Sequence, residues 1–196
     1  MAGTPRRYDG SAFTIWFTGL SGAGKSTLAK ALAAHLEDVS LPHKLLDGDE
    51  IRHGLCGDLG FSKRDRDENV RRIASASKLL NDRGVIAIVA SIAPYRAARL
   101  AAREMCGRFV EVFVDCPLQT LIQRDTKGLY QRALAGELEQ FTGVSDPYER
   151  PDAPDIYINS DSETEEESVG MLLTRLSDLR YLPAASAEWF RKKLSA

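Results

Sequence analysis

The sequence predicts a three-layer α/β fold in which a parallel β-sheet lies between helices and carries a lid segment. Three observations predict it. Apolar, β-branched runs alternate along the chain with segments of helical periodicity, the pattern of a parallel sheet with right-handed crossovers. A glycine loop ending in Lys-Ser stands between the first of these runs and the first helix. One stretch, Asp125 to Pro154, rich in Gly, Pro and charge, breaks the rhythm and is too long for an ordinary connection.

The elements follow in order. Phe13-Thr14-Ile15-Trp16-Phe17-Thr18 reads as the first strand, and Thr27 to Leu36 as the first helix. Lys44-Leu45-Leu46 is a short second strand ending at Asp47. Asp67 to Asn81 is a helix with Val70, Ile73, Ala74, Ser77 and Leu80 on one face, stopped by Arg83-Gly84. Val85 to Ala90 is continuously apolar, as a strand buried on both faces must be. An Ala-rich helix from Tyr95 to Met105, a strand from Phe109 to Val114 and a short helix from Leu118 to Arg124 come next. The last strand is Asp155 to Ile158. Ser162-x-x-Glu165 reads as a capping box opening a helix with Val169, Leu172, Leu173, Leu176 and Leu179 on one face. Glu163, Glu165, Glu166 and Glu167 suit its positive N-terminal end. The irregular stretch 125–154 reads as a partly helical lid that closes over phosphates. The organisation is an N-terminal arm (1–11), one domain (12–180) and a C-terminal tail (181–196), in which Trp189 and Phe190 could dock on the body or on a partner.

Composition narrows the function. The 196 residues carry a net charge of -2. No basic run is present, which argues against bulk binding to nucleic acid or an anionic membrane. No apolar run reaches the length of a membrane span, and Met1 to Gly10 lacks a signal-peptide core. Cys56, Cys106 and Cys116 show neither close pairing nor metal spacing and read as free thiols in a reducing compartment, hence a cytoplasmic location. His35, His43 and His53 have no ligand company and read as surface or loop residues.

Gly19-Leu20-Ser21-Gly22-Ala23-Gly24-Lys25-Ser26 fits G-x-x-x-x-G-K-[ST] at every fixed position. Strand, glycine loop and helix in that order make a P-loop nucleoside-triphosphate hydrolase-like fold. Glycines let the backbone N–H groups of residues 19–24 turn toward an anion, and the helix N-terminus adds its positive end. Gly19, Ser21, Gly22, Ala23, Gly24 and Thr27 are therefore expected at the nucleotide. Lys25 can reach the β- and γ-phosphates of ATP, and the Ser26 hydroxyl can take a Mg²⁺. Such a loop does not separate kinases, GTPases and motors, but an Asn-Lys-x-Asp guanine signature is lacking and the chain is short for a motor. Asp47-Gly48-Asp49 follows the second strand at the mouth of the sheet. One carboxylate could hold Mg²⁺ through water and one could accept a proton from an attacking hydroxyl; equally, the pair could simply cap the next helix.

Further motifs lie downstream. They are Asp58-Leu59-Gly60-Phe61-Ser62-x-x-Asp65-Arg66-x-Glu68-Asn69-x-x-Arg72, Pro94-Tyr95-Arg96, Arg124-Asp125-x-Lys127-Gly128-Leu129-Tyr130 and Phe141-Thr142-Gly143-Val144-x-x-Pro147-Tyr148-Glu149. Over roughly residues 12 to 160 the chain resembles the adenylylsulfate kinase family. That resemblance implies an ATP- and Mg²⁺-dependent enzyme that phosphorylates the 3′-hydroxyl of adenosine 5′-phosphosulfate, giving 3′-phosphoadenosine 5′-phosphosulfate and ADP. It places Asp47 and Asp49 at the metal and the attacking hydroxyl, with Asp49 and Ser26 as metal ligands, and Arg124 at ATP. It places Arg52, Arg66 and Asn69 on the acceptor, Phe61 and Phe141 against its adenine, and Ile92 and Ala93 along it through backbone contacts. Lys127 neutralises charge near the transferring phosphoryl group. The resemblance further implies a homodimer and a functional partnership with ATP sulfurylase. The chain departs from the family at Ser91-Ile92-Ala93-Pro94-Tyr95: many relatives have a serine before the Pro-Tyr pair, often described as a phosphorylated intermediate, where this chain has Ala93.

Overall fold

The computed structural model describes residues 10–186. Five parallel strands form one sheet in the order β2-β3-β1-β4-β5. In chain order they are β1 (Thr14–Thr18), β2 (His43–Asp47), β3 (Ile86–Ala90), β4 (Phe109–Asp115) and β5 (Ile156–Asn159). The helices are α1 (Lys25–Asp38), α2 (Gly48–His53), α3 (Lys63–Asn81), α4 (Arg96–Cys106), α5 (Leu118–Arg124), α6 (Leu129–Leu134) and α7 (Glu165–Asp178). Helix α6 lies within the irregular stretch 125–154.

Period-two alternation splits the core in two. Ile15 and Phe17 of β1, Ile86 and Ile88 of β3, and Val110, Val112 and Val114 of β4 face one side, under Leu28, Leu32 and Leu36 of α1 and Val169, Leu172, Leu173 and Leu176 of α7. Trp16, Val89 and Phe109 face the other, under Val70, Ile73 and Ala74 of α3 and Ala102 and Cys106 of α4. Burial on both faces explains why β1 and β3 read as unbroken apolar runs. Tyr181 packs its ring 4.7 Å from Phe13, and Leu182 is buried beside it. Trp189 and Phe190 lie outside the described residues. The three cysteines are buried free thiols. Among the described residues, no helix is long and apolar enough to cross a membrane.

The structure corrects three readings. The capping box of α7 is Thr164-x-x-Glu167, not Ser162-x-x-Glu165: the Thr164 hydroxyl accepts from Glu167 N at 3.2 Å, and Glu167 accepts from Thr164 N at 2.8 Å. Both tetrapeptides fit the pattern, but Ser162 N still donates to Asn159 O at 3.3 Å in the turn leaving β5, so the helix starts later. Helix α3 begins at Lys63, four residues ahead of the expected Asp67. The Ser62 hydroxyl caps it by accepting from Asp65 N at 3.2 Å, and the charged first turn concealed its period. His35 is buried, not a surface or loop residue, because it falls on the α1 stripe of Leu28, Leu32 and Leu36.

Thr164→Ala therefore removes a working cap and is expected to lower unfolding free energy by about 1 kcal/mol. Ser162→Ala should be close to neutral. Urea melts of both variants check this, and the opposite order would restore the earlier box.

Candidate active site

β1 delivers the chain to a loop that only glycine can begin. A Cβ at Gly19 would sit 2.3 Å from the Val114 carbonyl oxygen of β4, and its φ is 149°. Gly24 is left-handed at φ 98° and is the residue from which α1 starts, so the unpaired N–H groups of the first turn open onto the loop. Ser26 is half-buried and Thr27 exposed in that turn. Lys25 is buried, and its ammonium donates to Leu20 O at 2.7 Å, inside the loop. Burial, and then the nearby Lys127 charge, pull its pKa down to about 8, against the opposing pull of Asp49 and Asp47.

The two readings of Asp47 and Asp49 divide between the residues. Asp47 is buried at the end of β2, and its carboxylate caps α2 by accepting from Asp49 N at 3.0 Å. Asp49, one turn into solvent, instead meets Lys127 Nζ at 2.6 Å, across 78 positions of sequence. That hydrogen bond is the main reason its carboxyl sits below the usual range. Lys127 is held there by Asp125, whose carboxylate accepts from Tyr130 N and Gln131 N at 3.0 and 2.9 Å, closing the turn between α5 and α6. Asp47, Asp49, Lys25 and Lys127 are thus within electrostatic reach of one another at the mouth of the sheet. Arg124 lies at the rim, donating to Ser160 O at 3.2 Å and lying 3.8 Å from Asp161.

A second cluster is built on α2, α3 and the stretch 125–154. Phe61 is 54% exposed between two guanidinium groups, Arg52 at 4.4 Å and Arg66 at 5.6 Å from its ring centre. Arg52 is anchored on Gly60 O at 3.1 Å. Burial lowers the pKa of both arginines; for Arg52 the charge of Arg66 is the next cause, while for Arg66 the nearby Asp146 carboxylate opposes the shift. Asn69 is buried beside them, and its Oδ1 has no partner among the described residues. Phe141 is half-buried, set edge-on to Tyr130 at 5.2 Å. The carbonyls of Ile92 and Ala93 are already engaged inside the fold, by Thr18 Oγ1 at 2.6 Å and Arg99 Nη1 at 2.8 Å. A cavity of about 580 Å³ lies on the other flank of Leu20, walled by Phe113, Asp115, Tyr148 and Arg150. It excludes Lys25 and Asp49.

Sequence reasoning left several residues of this region without a role. Arg99 is buried and joins Ala93 O, Glu149 O at 2.7 Å and Glu111 at 2.7 Å, tying the end of the stretch 125–154 to the turn before α4. Tyr95 donates to Asp146, and Tyr148 shares a hydrogen bond of 2.9 Å with Thr18. The repeated Pro-Tyr pairs at 94–95 and 147–148 were the visible trace of this tether.

The model of the family described as adenylylsulphate kinase matches residues 11–159. An adenylyl-sulfate kinase of Myxococcus xanthus is 51% identical over 181 residues, covering 90% of this chain and 97% of that protein. A protein of Sorangium cellulosum named as a probable bifunctional SAT/APS kinase is 50% identical over 90% of this chain, which spans only 30% of that relative's length. Among solved structures, an APS kinase of Mycobacterium tuberculosis in complex with AMPPNP and APS superimposes with a TM-score of 0.82 at 42% identity, over 85% of this chain and 98% of that one.

The lowered Lys25 pKa predicts that binding of an anion beside its ammonium depends on pH. A bound triphosphate favours the ammonium form, so above the free value of about 8 the protein must take up a proton to bind it. Affinity for a nucleoside triphosphate is expected to be flat below that value and to weaken toward roughly tenfold per pH unit above it. Calorimetry in buffers of different ionisation enthalpy should show proton uptake in the alkaline limb, and a flat affinity into that limb would contradict it.

Proposed function

The chain belongs to the adenylylsulphate kinase family, and from that premise we propose how its own residues transfer the γ-phosphoryl group of ATP to the 3′-hydroxyl of adenosine 5′-phosphosulfate, giving 3′-phosphoadenosine 5′-phosphosulfate and ADP. The observation that carries this residue-level reading is the Asp49–Lys127 contact, set over the phosphate loop and next to the Arg52–Phe61–Arg66 cluster.

The residues fit a magnesium nucleotide. The loop offers backbone donors and a buried lysine, while among the described residues no cluster of three or more His, Cys, Asp or Glu side chains could cage a metal by itself. That suits Mg²⁺, which takes one or two protein oxygens and completes its shell with phosphate and water. Ser26 and Asp49 would hold it, and it supplies charge neutralisation at the phosphates. Gly19 to Gly24 and the first turn of α1, with Thr27, cradle the phosphates, Lys25 bridges the β- and γ-groups, and Arg124 lies at the nucleotide's rim. Asp49 orients the acceptor hydroxyl and takes its proton; Asp47 acts through the α2 cap that aims Asp49. Lys127 offsets charge on the moving phosphoryl group.

On the acceptor side Arg52, Arg66 and Asn69 meet the polyanion, Phe61 and Phe141 clamp the adenine, and the backbone at Ile92 and Ala93 lines it. Stacking on each ring contributes about 1–3 kcal/mol. A functional partnership with ATP sulfurylase belongs to the same reading, and the Sorangium relative, named as a probable bifunctional SAT/APS kinase, supports the pairing of such a kinase with a second activity. A homodimer in a cytoplasm that keeps Cys56, Cys106 and Cys116 reduced completes the reading.

The transfer is direct. The bond from the γ-phosphorus to the oxygen bridging to the β-phosphate breaks as the 3′-oxygen attacks in line. Ala93 has no oxygen to phosphorylate, and Ser91 is buried two residues earlier in the chain. A chiral γ-thiophosphate donor should therefore give net inversion at phosphorus; retention, or label trapped on Ser91, would overturn direct transfer.

Asp49→Asn is expected to lower kcat by about 10²–10³-fold, since it removes a preorganised charge at the reacting atoms. Its KM for ATP should stay within a few-fold of the wild-type value. Acceptor-dependent ADP release measures both constants, and a variant whose sole defect is ATP binding would refute the role.

A further inference from the structure

Lid and acceptor loop meet at one guanidinium. Arg66 Nε donates to Phe61 O at 2.9 Å, and one of its terminal nitrogens donates to Gln140 O. Phe61 carries one ring of the proposed clamp, and Gln140 directly precedes the other, Phe141. Gln140 is itself left-handed at φ 53°, a conformation that costs a non-glycine residue and needs a compensating contact. Arg66 is buried, so its charge requires a partner in the fold. The partner is Asp146, with Oδ2 3.4 Å from Arg66 Nε. Asp146 is fixed in turn by the Tyr95 hydroxyl, which lies 3.1 and 2.9 Å from its two oxygens. Backbone closes the same turn: Gly143 N donates to Asp146 O at 2.8 Å.

From this geometry we propose that Asp146 is a positioning residue for base selection: held by Tyr95, it fixes Arg66 as a strut that sets the spacing of the Phe61 and Phe141 loops. The physical reason is that stacking tolerates any base, since every base offers a π-face. Selection for a purine must then come from the width of the slot and from what closes it. A guanidinium can span the Phe61 and Gln140 carbonyls because its donors point in fixed directions, which an ammonium's do not, while the Asp146 carboxylate lies beside Nε as its counter-charge. The inference rests on the adenine-clamp reading proposed above and adds residues that reading does not use.

The test compares wild type, Asp146→Asn and Tyr95→Phe with adenosine 5′-phosphosulfate and cytidine 5′-phosphosulfate as acceptors at saturating ATP. Asp146→Asn keeps the shape of the side chain and removes its charge. It is expected to raise KM for the adenosine acceptor about tenfold and to change kcat and the ATP KM by less than about threefold. The purine-over-pyrimidine ratio of kcat/KM should fall about tenfold, because the slot is no longer held at one width. Tyr95→Phe, which keeps the buried ring, should shift the ratio in the same direction by a smaller factor, and it carries the test if Asp146→Asn fails to fold. Wild-type discrimination in the folded variants, or an equal rise in both KM values, would overturn the proposal. A wild-type enzyme without acceptor-dependent ADP release would instead overturn the functional reading on which it stands.

Discussion

The loop between β1 and α1 can be built only because a strand's backbone lies against it with no side chain between. Gly19 lies so close to the Val114 carbonyl that a methyl group would overlap it. This close approach seats the loop on the C-terminal edge of the sheet, between β1 and β4, and from there α1 must start where it does. The helix's open N–H groups, the buried Lys25 and the half-buried Ser26 all inherit their positions from it. The sheet order then does the rest: β1 lies between β3 and β4, so one neighbour's end supplies the Ser91–Ala93 turn and the other supports the loop.

Charge is arranged around that loop in two groups with different energetics. Lys25 is desolvated and carries a cost in the absence of phosphate, which makes it responsive to an incoming anion. Asp49 and Lys127 meet in solvent, where an ion pair contributes little to stability. A weak, exposed pair suits the proposed lid, because it can orient Asp49 and Lys127 and still be broken. By contrast, the tethers at the lid's far end are buried, through Arg99 to Glu111 and to the carbonyls of Ala93 and Glu149. The exposed contact lies near the start of the segment, at Lys127, and the buried tether near its end, at Glu149.

Much of this was legible in the chain. The loop motif, the alternation of strands and helices, and the odd segment with its α6 turn could all be read, because each depends on local chemistry: glycine at left-handed positions, a period of two or of 3.6, caps and breakers. The departures also have local causes. Thr164-x-x-Glu167 and Ser162-x-x-Glu165 satisfy the same pattern, and only the turn after β5 chooses between them. His35 reads as polar, yet its place on the α1 stripe buries it.

The sequence by itself determined the fold class and the phosphate-loop motif, and it supplied the charged and aromatic residues to which the proposed chemistry assigns roles. Tertiary structure alone decided how they are shared out. Asp47 and Asp49 are two positions apart and chemically identical in sequence; the strand end buries one as a cap and leaves the other to Lys127. Arg66 reads as one charge in a solvated run, but folding buries it between the Phe61 and Gln140 carbonyls and Asp146. The pairings Asp49–Lys127, Arg66–Gln140 and Arg66–Asp146 join residues more than seventy positions apart, and no periodicity or propensity encodes a distance through space. They arise when the sheet closes and the burial of one group forces the choice of its partner.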